Sequence, residues 1–443
     1  MTVVHRISRD RNRGPPPQQP AGPADERPPP SRRSLRGLDW FVFFLADVQT
    51  GFGPFVAVYL TTQKWTQVEI GLVLSVSGLV ALVGQMPGGA LVDAVRSVRV
   101  VAGLAVTAIG VAALAYAALP TFLVVMSAAV LHASASCVLG PAIAAMSLGL
   151  VGQAAVGERF GRNARFASIG SGIAAAVMGA CGYFLSSRAV FLVTVALAIP
   201  TLFALAQIRP REIDPEQTHG GTLRKNDLSR QGAGHPAAGL AILLRKPALL
   251  IFAGCILLFQ LANAAMLPIM AGVVTTRSSN WATVLIAACI IVPQIVVASM
   301  SPWVGRKAQQ WGRRPLLLLG LAALPIRGIL FATVTDPYVL VVIQVLDGIT
   351  AAVFAVMVPL IIADITLGTG RFSLALGLVG TATGIGASVS TVLAGYISDH
   401  HGSSLAFFAL AAVAALALIS AYALMPETRR DGDIPSSGSS PAS

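Results

Sequence analysis

The chain has 443 residues, of which 55% are hydrophobic and only 11% charged, with a formal net charge of +12. A soluble domain carries about 25% charged residues, so this composition excludes a large water-soluble core. The basic residues sit in short segments between long apolar runs rather than across one surface, which argues against nucleic acid as a partner.

Residues 1–37 are polar and rich in Arg and Pro (Gly14-Pro15-Pro16-Pro17, Arg27-Pro28-Pro29-Pro30). They offer too little apolar surface to order themselves, and they lack the apolar run of a signal peptide, so a disordered tail is expected. Twelve apolar runs follow, at about 39–61, 67–93, 98–118, 122–147, 166–186, 189–208, 248–273, 281–304, 315–334, 338–364, 373–397 and 403–424. Roughly 20 residues at 1.5 Å rise cross ~30 Å of hydrocarbon. Such runs are too long and too uniformly apolar for barrel strands, and in lipid the backbone must satisfy its own hydrogen bonds, so each run is predicted to be a membrane helix. The expected layout is an all-α membrane protein: a tail (1–37), a six-helix bundle (38–208), a hydrophilic linker (209–247) with room for a short amphipathic stretch, a second six-helix bundle (248–425) and a second tail (426–443). With both termini inside, every basic residue of the 31 except Lys64, Arg188, Arg277 and Arg327 falls in an inner segment. That bias predicts two cytoplasmic termini in a cell (inner) membrane.

Ionisable groups within membrane helices cost at least ~2.5–3.5 kcal/mol at the centre, so they face a cavity or a partner. Asp47, in the first helix, can serve as a proton or cation site if desolvation raises its pKa, or it can be an Asp satisfied near the surface. Gln49, two residues on, points to another face. His132, mid-way along the fourth helix beside Ser134 and Ser136, can relay a proton, contact a ligand or simply pack. Gln260 and Asn263 are three apart and share a face of the seventh helix, where they can orient a substrate or bond between helices. Arg327 and Asp347 lie at depths within ~3 Å of each other on helices joined by the tight turn Asp336-Pro337, so an ion pair is expected, as a brace or as a protonation switch. Asp364, at the inner end of the tenth helix, is expected to pair with a nearby Arg such as Arg371. Four cysteines, each inside a different apolar run, read as small buried hydrophobes, and no metal-like spacing occurs.

The two halves repeat each other. Pro54 and Pro268 are 214 residues apart, Gly89 and Gly305 216, and Pro141 and Pro359 218, and the loop pair Arg165-Phe166 recurs as Arg371-Phe372. Gln49 then corresponds to Asn263. A drifting offset of this kind is the trace of a duplicated helical bundle, and duplicated membrane bundles build alternating-access transporters.

The segment from Gly305 through Gln309 to Gly312-Arg313-Arg314 resembles the signature loop of the major facilitator superfamily, G-x-x-x-D-x-x-G-R-R. The equivalent loop of the first half keeps Gly89 and the acidic Asp93 but lacks the G-R-R end, whereas the second keeps G-R-R and has Gln309 in the acidic place. The resemblance covers nearly the whole chain outside the tails. It implies a rocker-switch transporter with a midplane site lined by the first, fourth, seventh and tenth helices. It also implies that these loops, with Arg165 and Arg371, hold the cytoplasmic side closed; the plain alternative is that they cap helices and anchor in headgroups. The family's proton-antiporter element on the fifth helix contains Gly-Pro, and here that helix has no proline, which removes the simplest argument for drug/proton antiport.

No ATP-binding loop (G-x-x-x-x-G-K-[ST]) occurs, so proton coupling is the expected energy source, with uncoupled facilitation as the alternative. The expected substrate is a small organic solute or drug-like compound carried by a monomer in the bilayer, with no cofactor. A membrane enzyme or sensor is the rival class, but there is no catalytic cluster for the one and no folded cytoplasmic domain for the other.

Overall fold

A computed structural model describes residues 29–50, 52–221, 236–277, 282–334 and 336–429. The first crossing, α1, is Arg32–Thr50 continued by Phe52–Thr62. It is followed by α2 (Gln67–Ala94) and α3 (Val98–Ala118). One long helix, Phe122–Phe184, then bends at Gly152 and supplies two crossings, α4 (122–151) and α5 (153–184). After α6 (Ser187–Gln207), α7 runs as Pro247–Asn263 and Met266–Arg277. The remaining crossings are α8 (Ala282–Trp311), α9 (Arg313–Thr333), α10 (Pro337–Thr366), α11 (Phe372–His401) and α12 (Ser403–Leu424). Ten described stretches are long and apolar enough to span a membrane on their own. The bend at Gly152 divides one of them in two, and α1, whose first turns carry charge, completes the twelve.

Local chemistry sets several boundaries. Thr66 and Glu69 form a reciprocal capping box at the start of α2. Asp336 caps Tyr338 and Val339 while Pro337 occupies the first helical position of α10. Pro268 lacks the N–H that would bond to the carbonyl of Ala264, and the first part of α7 ends at Asn263.

Each bundle has its own core. The core of the second half reaches into the first through Ala144, Leu148, Val156 and Phe160, all near the end of the molecule that carries the Arg-rich loops. That end is called the basic end below. Cys137, Cys255 and Cys289 are buried and Cys181 half-buried, all as free thiols.

One boundary differs from expectation. The fifth helix begins at residue 153, not near 166, so Arg159, Arg162 and Arg165 lie on α5 rather than in a loop. The breaker is Gly152, whose φ of 72° suits glycine, while the polarity of the following turns serves an internal site. Asp39 of α1 accepts from Arg159 at 2.6 Å and from Arg162 at 2.6 Å, with its carboxylate only 2% exposed. Asn163 extends the network from Arg159 to Ser147. The supposed repeat of Arg165-Phe166 as Arg371-Phe372 also fails. Arg371 precedes α11 as Gly152 precedes α5, an offset of 219 that continues the drift of the other landmarks.

Removing Asp39 leaves a buried guanidinium uncompensated, whereas Arg162 is half in solvent. Asp39→Ala is therefore expected to lose about 3–5 kcal/mol and Arg162→Gln less than ~1 kcal/mol. Thermal unfolding of the two purified variants checks the contrast, and equal losses would contradict it.

Candidate functional site

At the basic end, α2 crosses α11 and α5 crosses α8. A Cβ at Gly89 would overlap the Ser373 carbonyl, and one at Gly377 would overlap that of Gln85. One at Gly305 would lie 2.5 Å from the Gly157 carbonyl, and one at Gly161 2.5 Å from that of Ser301. Glycine lets these backbones touch, as small residues do wherever membrane helices pack closely. The α2–α11 contacts continue as far as Leu82 against Gly384, and the α5–α8 contacts as far as Ala164 against Val297. Both levels lie near mid-helix. Beyond them Leu72 and Leu79 of α2 and Val389 and Val392 of α11 are exposed. The bundles meet over the basic half of the molecule.

Asp93 ends α2 with its carboxylate wholly buried. It accepts from the backbone N–H groups of Ser373 (3.0 Å) and Leu374 (2.8 Å), the first turn of α11. Unpaired helix N-terminal donors and the positive end of the helix dipole make this a strong place for a carboxylate. The pseudo-equivalent Gln309 meets α5 differently. Its amide Nε2 donates to the Ala154 carbonyl at 3.0 Å, and its Oε1 is buried with no hydrogen bond among the described residues.

The G-R-R residues serve the second bundle. Gly312, at φ 93°, lets the chain turn into α9. Glu427 caps that helix by accepting from the N–H groups of Arg313 (2.9 Å) and Arg314 (3.1 Å). Burial pushes the Glu427 carboxyl up, but these backbone bonds and the Arg313 charge outweigh it and hold the group below the usual carboxylate range. The Arg313 guanidinium donates to Asp364 at 2.8 Å. Asp364 therefore pairs with Arg313, not with Arg371, because Arg313 begins α9 beside the end of α10. Asp364 also accepts from Gln153 of the first bundle at 2.8 Å. The Arg371 side chain lies instead against Gly239, where a Cβ would be 3.0 Å from its Nε, and Arg165 is exposed on α5.

The linker takes part as well. Asp214 N–H donates to the Gly149 carbonyl of the first half at 2.9 Å, and the Gly220 carbonyl accepts from Gly368 N–H of the second at 2.6 Å. Between them Thr218 is buried and His219 Nδ1 lies 3.8 Å from Asp93 Oδ1. The segment straps both halves at the closed end.

Further along, Ala265 N–H at the α7 break donates to Ser390 Oγ of α11 at 3.1 Å. Asn263 occupies the last turn before this break, and its buried Oδ1 has no hydrogen-bond partner among the described residues. Gln260 is half-buried one turn earlier, where α7 meets Gly386 of α11. His132 is half-buried on α4. Asp47 and Gln49 fall on the helical backbone of α1, but their side chains lie outside the described residues. Arg327 and Asp347 do form an ion pair, joining α9 to α10; Arg327 is fully buried and stacks over Phe331, while Asp347 is 26% exposed.

The family profile described as the Major Facilitator Superfamily matches residues 40–326 and 255–442. The chain belongs to the major facilitator superfamily. It is a membrane transporter by family, not an enzyme. It is 38% identical over 404 residues to an uncharacterized MFS-type transporter of Mycobacterium tuberculosis, covering 89% of this chain and 94% of that one. Over 153 residues it is 31% identical to Multidrug resistance protein 1 of Bacillus subtilis, covering 34% of this chain and 38% of that protein. The crystal structure of the E. coli fucose:proton symporter FucP shares the fold, with a TM-score of 0.68 at 14% identity, covering 88% of this chain and 98% of that one.

The transporter's two loops carry unequal chemistry at equivalent places, which sets a prediction. Asp93→Asn removes the charge and turns one acceptor into a donor facing N–H groups, so it weakens closure at the basic end by about 1–2 kcal/mol. Gln309→Asp supplies the missing acceptor to the first turn of α5 and strengthens it. Spin labels at Arg96 and Trp311, one on each bundle, should report longer distances in Asp93→Asn and a narrower, shorter distribution in Gln309→Asp. Unchanged distances in both variants would remove these residues from the closure.

Proposed function

We propose that this protein moves a small, drug-like organic compound by rocker-switch alternating access, coupled to protons, with both termini and the basic end on the cytoplasmic side of the cell (inner) membrane. On this reading it rests outward-facing. The loop charge bias supports the orientation. One observation carries the mechanism: a basic end closed through backbone contacts that stop near mid-helix, combined with the break in α7 at residues 264 and 265. Broken helices at the repeat interface are where transporters place polar groups toward a substrate. Asn263, whose buried Oδ1 has no partner among the described residues, and Gln260 suit hydrogen-bond recognition on α7, with Gln49 and His132 as the contributions of the first half. The drug resistance named in the Bacillus relative supports a drug-like substrate.

Asp93, Gly89, Gly305, Gly312, Arg313 and Arg314 form the cytoplasmic gate, joined by Gln153, Asp364 and His219. Arg165 and Arg371 stand at its edge. Asp47 is the coupling carboxylate. Arg327 and Asp347 act first as a brace, because the guanidinium is enclosed between α9 and α10. That enclosure also favours the second reading, an uncoupled facilitator in which neither carboxylate exchanges protons during transport.

Proteoliposomes loaded with a pH dye and challenged with a panel of organic cations and drugs test this. Wild type should show substrate-dependent proton movement. Asp47→Asn should lose it by about tenfold or more while still exchanging substrate. Asp347→Asn should instead cost about 3–5 kcal/mol of stability by stranding Arg327. Substrate transport by wild type without proton movement would leave the facilitator reading.

A further inference from the structure

We propose that the inner ends of α1 and α6 form a binding site for one anionic phospholipid of the cytoplasmic leaflet. The proposal rests on the orientation given above. A groove of about 660 Å³ lies between the two helices. Trp40, Phe44, Pro200 and Phe203 wall it, and Arg32, Arg33 and Arg36 stand at its mouth. Trp40 is 48% and Phe203 68% exposed, so the walls face the surroundings of the protein rather than its core. Trp40 stacks on Phe44 at 5.8 Å, which makes the wall rigid and flat.

Among the described residues, little at the mouth offsets the arginine charge. Asp39 of the same helix points the other way and is held by Arg159 and Arg162. Glu212 accepts from the N–H and hydroxyl of Ser31 at 3.0 and 2.8 Å and pairs with Arg209 at 3.4 Å. Arg33 donates to a neutral group, Gln207 Oε1, at 2.8 Å. Among the described residues, Arg32 and Arg36 have no carboxylate partner. Guanidinium groups above an apolar, aromatic-lined groove match a phosphodiester headgroup above an acyl chain. At the equivalent start of α7, Lys246 Nζ is engaged by the Ile365 carbonyl at 2.7 Å and Arg245 alone stands exposed. The three arginines of α1 over an aromatic-walled groove make a denser cationic cluster than that pair.

The test uses the purified, delipidated full chain in detergent, titrated with phosphatidylglycerol, phosphatidylcholine or inorganic phosphate and read by native mass spectrometry. Wild type should retain one phosphatidylglycerol in preference to phosphatidylcholine. At roughly fivefold per arginine, the Arg32→Gln/Arg36→Gln double variant should bind phosphatidylglycerol about 25-fold more weakly, with phosphatidylcholine binding unchanged. The control pair Arg306→Gln/Lys307→Gln, on exposed inner positions elsewhere, should behave as wild type. A phosphatidylglycerol with brominated acyl chains should quench tryptophan emission in wild type and lose most of that quenching in Trp40→Phe. Equal retention of both lipids, an equal loss in the control pair, displacement by inorganic phosphate, or quenching that survives Trp40→Phe would each overturn the proposal. Binding in detergent is blind to sidedness, so a failed orientation would leave these readouts unaffected.

Discussion

A carboxylate on one bundle that satisfies two backbone N–H groups on the other is the interaction on which the closed end depends. Asp93 reaches the first turn of α11 only because Gly89, one turn earlier, lets α2 lie against the Ser373 carbonyl. A side chain at that glycine would separate the helices and the carboxylate with them. The bond is also well suited to being broken. In the closed state, N–H groups without an acceptor would cost about 1–3 kcal/mol each in a dry contact, whereas in an open state water replaces the carboxylate and the net loss is nearer 1 kcal/mol. Closure is thus favoured without being locked.

The other contacts extend this bond into a layer. Asp364 joins Arg313 of α9 to Gln153 of α5, so one buried carboxylate both braces the second bundle and touches the first. Glu427, beyond α12, orders the start of α9 and so places Arg313. The linker lies over the same layer, with Gly149 of the first half and Gly368 of the second as its backbone partners. On the proposed rocker-switch reading, opening the basic end would require these groups to part together, giving the motion two discrete states rather than a continuum.

The parts of this architecture visible in the sequence were those with a periodic or stereochemical cause. Twelve apolar runs, the glycines at the loop crossings and the paired prolines each leave a mark that needs no tertiary information. Arg327 and Asp347 were readable because a tight turn fixes the register of two neighbouring helices. What the sequence concealed depends on distant partners. Residues 153–165 read as a loop because their arginines look solvated, yet Asp39 and Asn163 neutralise and bury Arg159. Asp364 was matched to the nearest Arg in sequence, but a helix end 51 residues away was nearer in space. The bond between linker and Gly368 has no local cause at all, since backbone groups carry no identity.

Duplication makes the unequal halves informative. At equivalent places one half has a charged acceptor aimed at helix donors and the other has an amide that donates to a carbonyl. Two identical charged locks would add, and reversing a closed state populated about 99:1 would require a ligand that discriminates about 10⁴-fold, or about 5.5 kcal/mol. Replacing one lock with an amide lowers that demand, and the linker restores part of the closure through neutral backbone bonds. On the proposed reading, a substrate held by a few hydrogen bonds near Asn263 would supply only modest differential binding, and a weaker gate on one side would bring the conformational equilibrium within its reach.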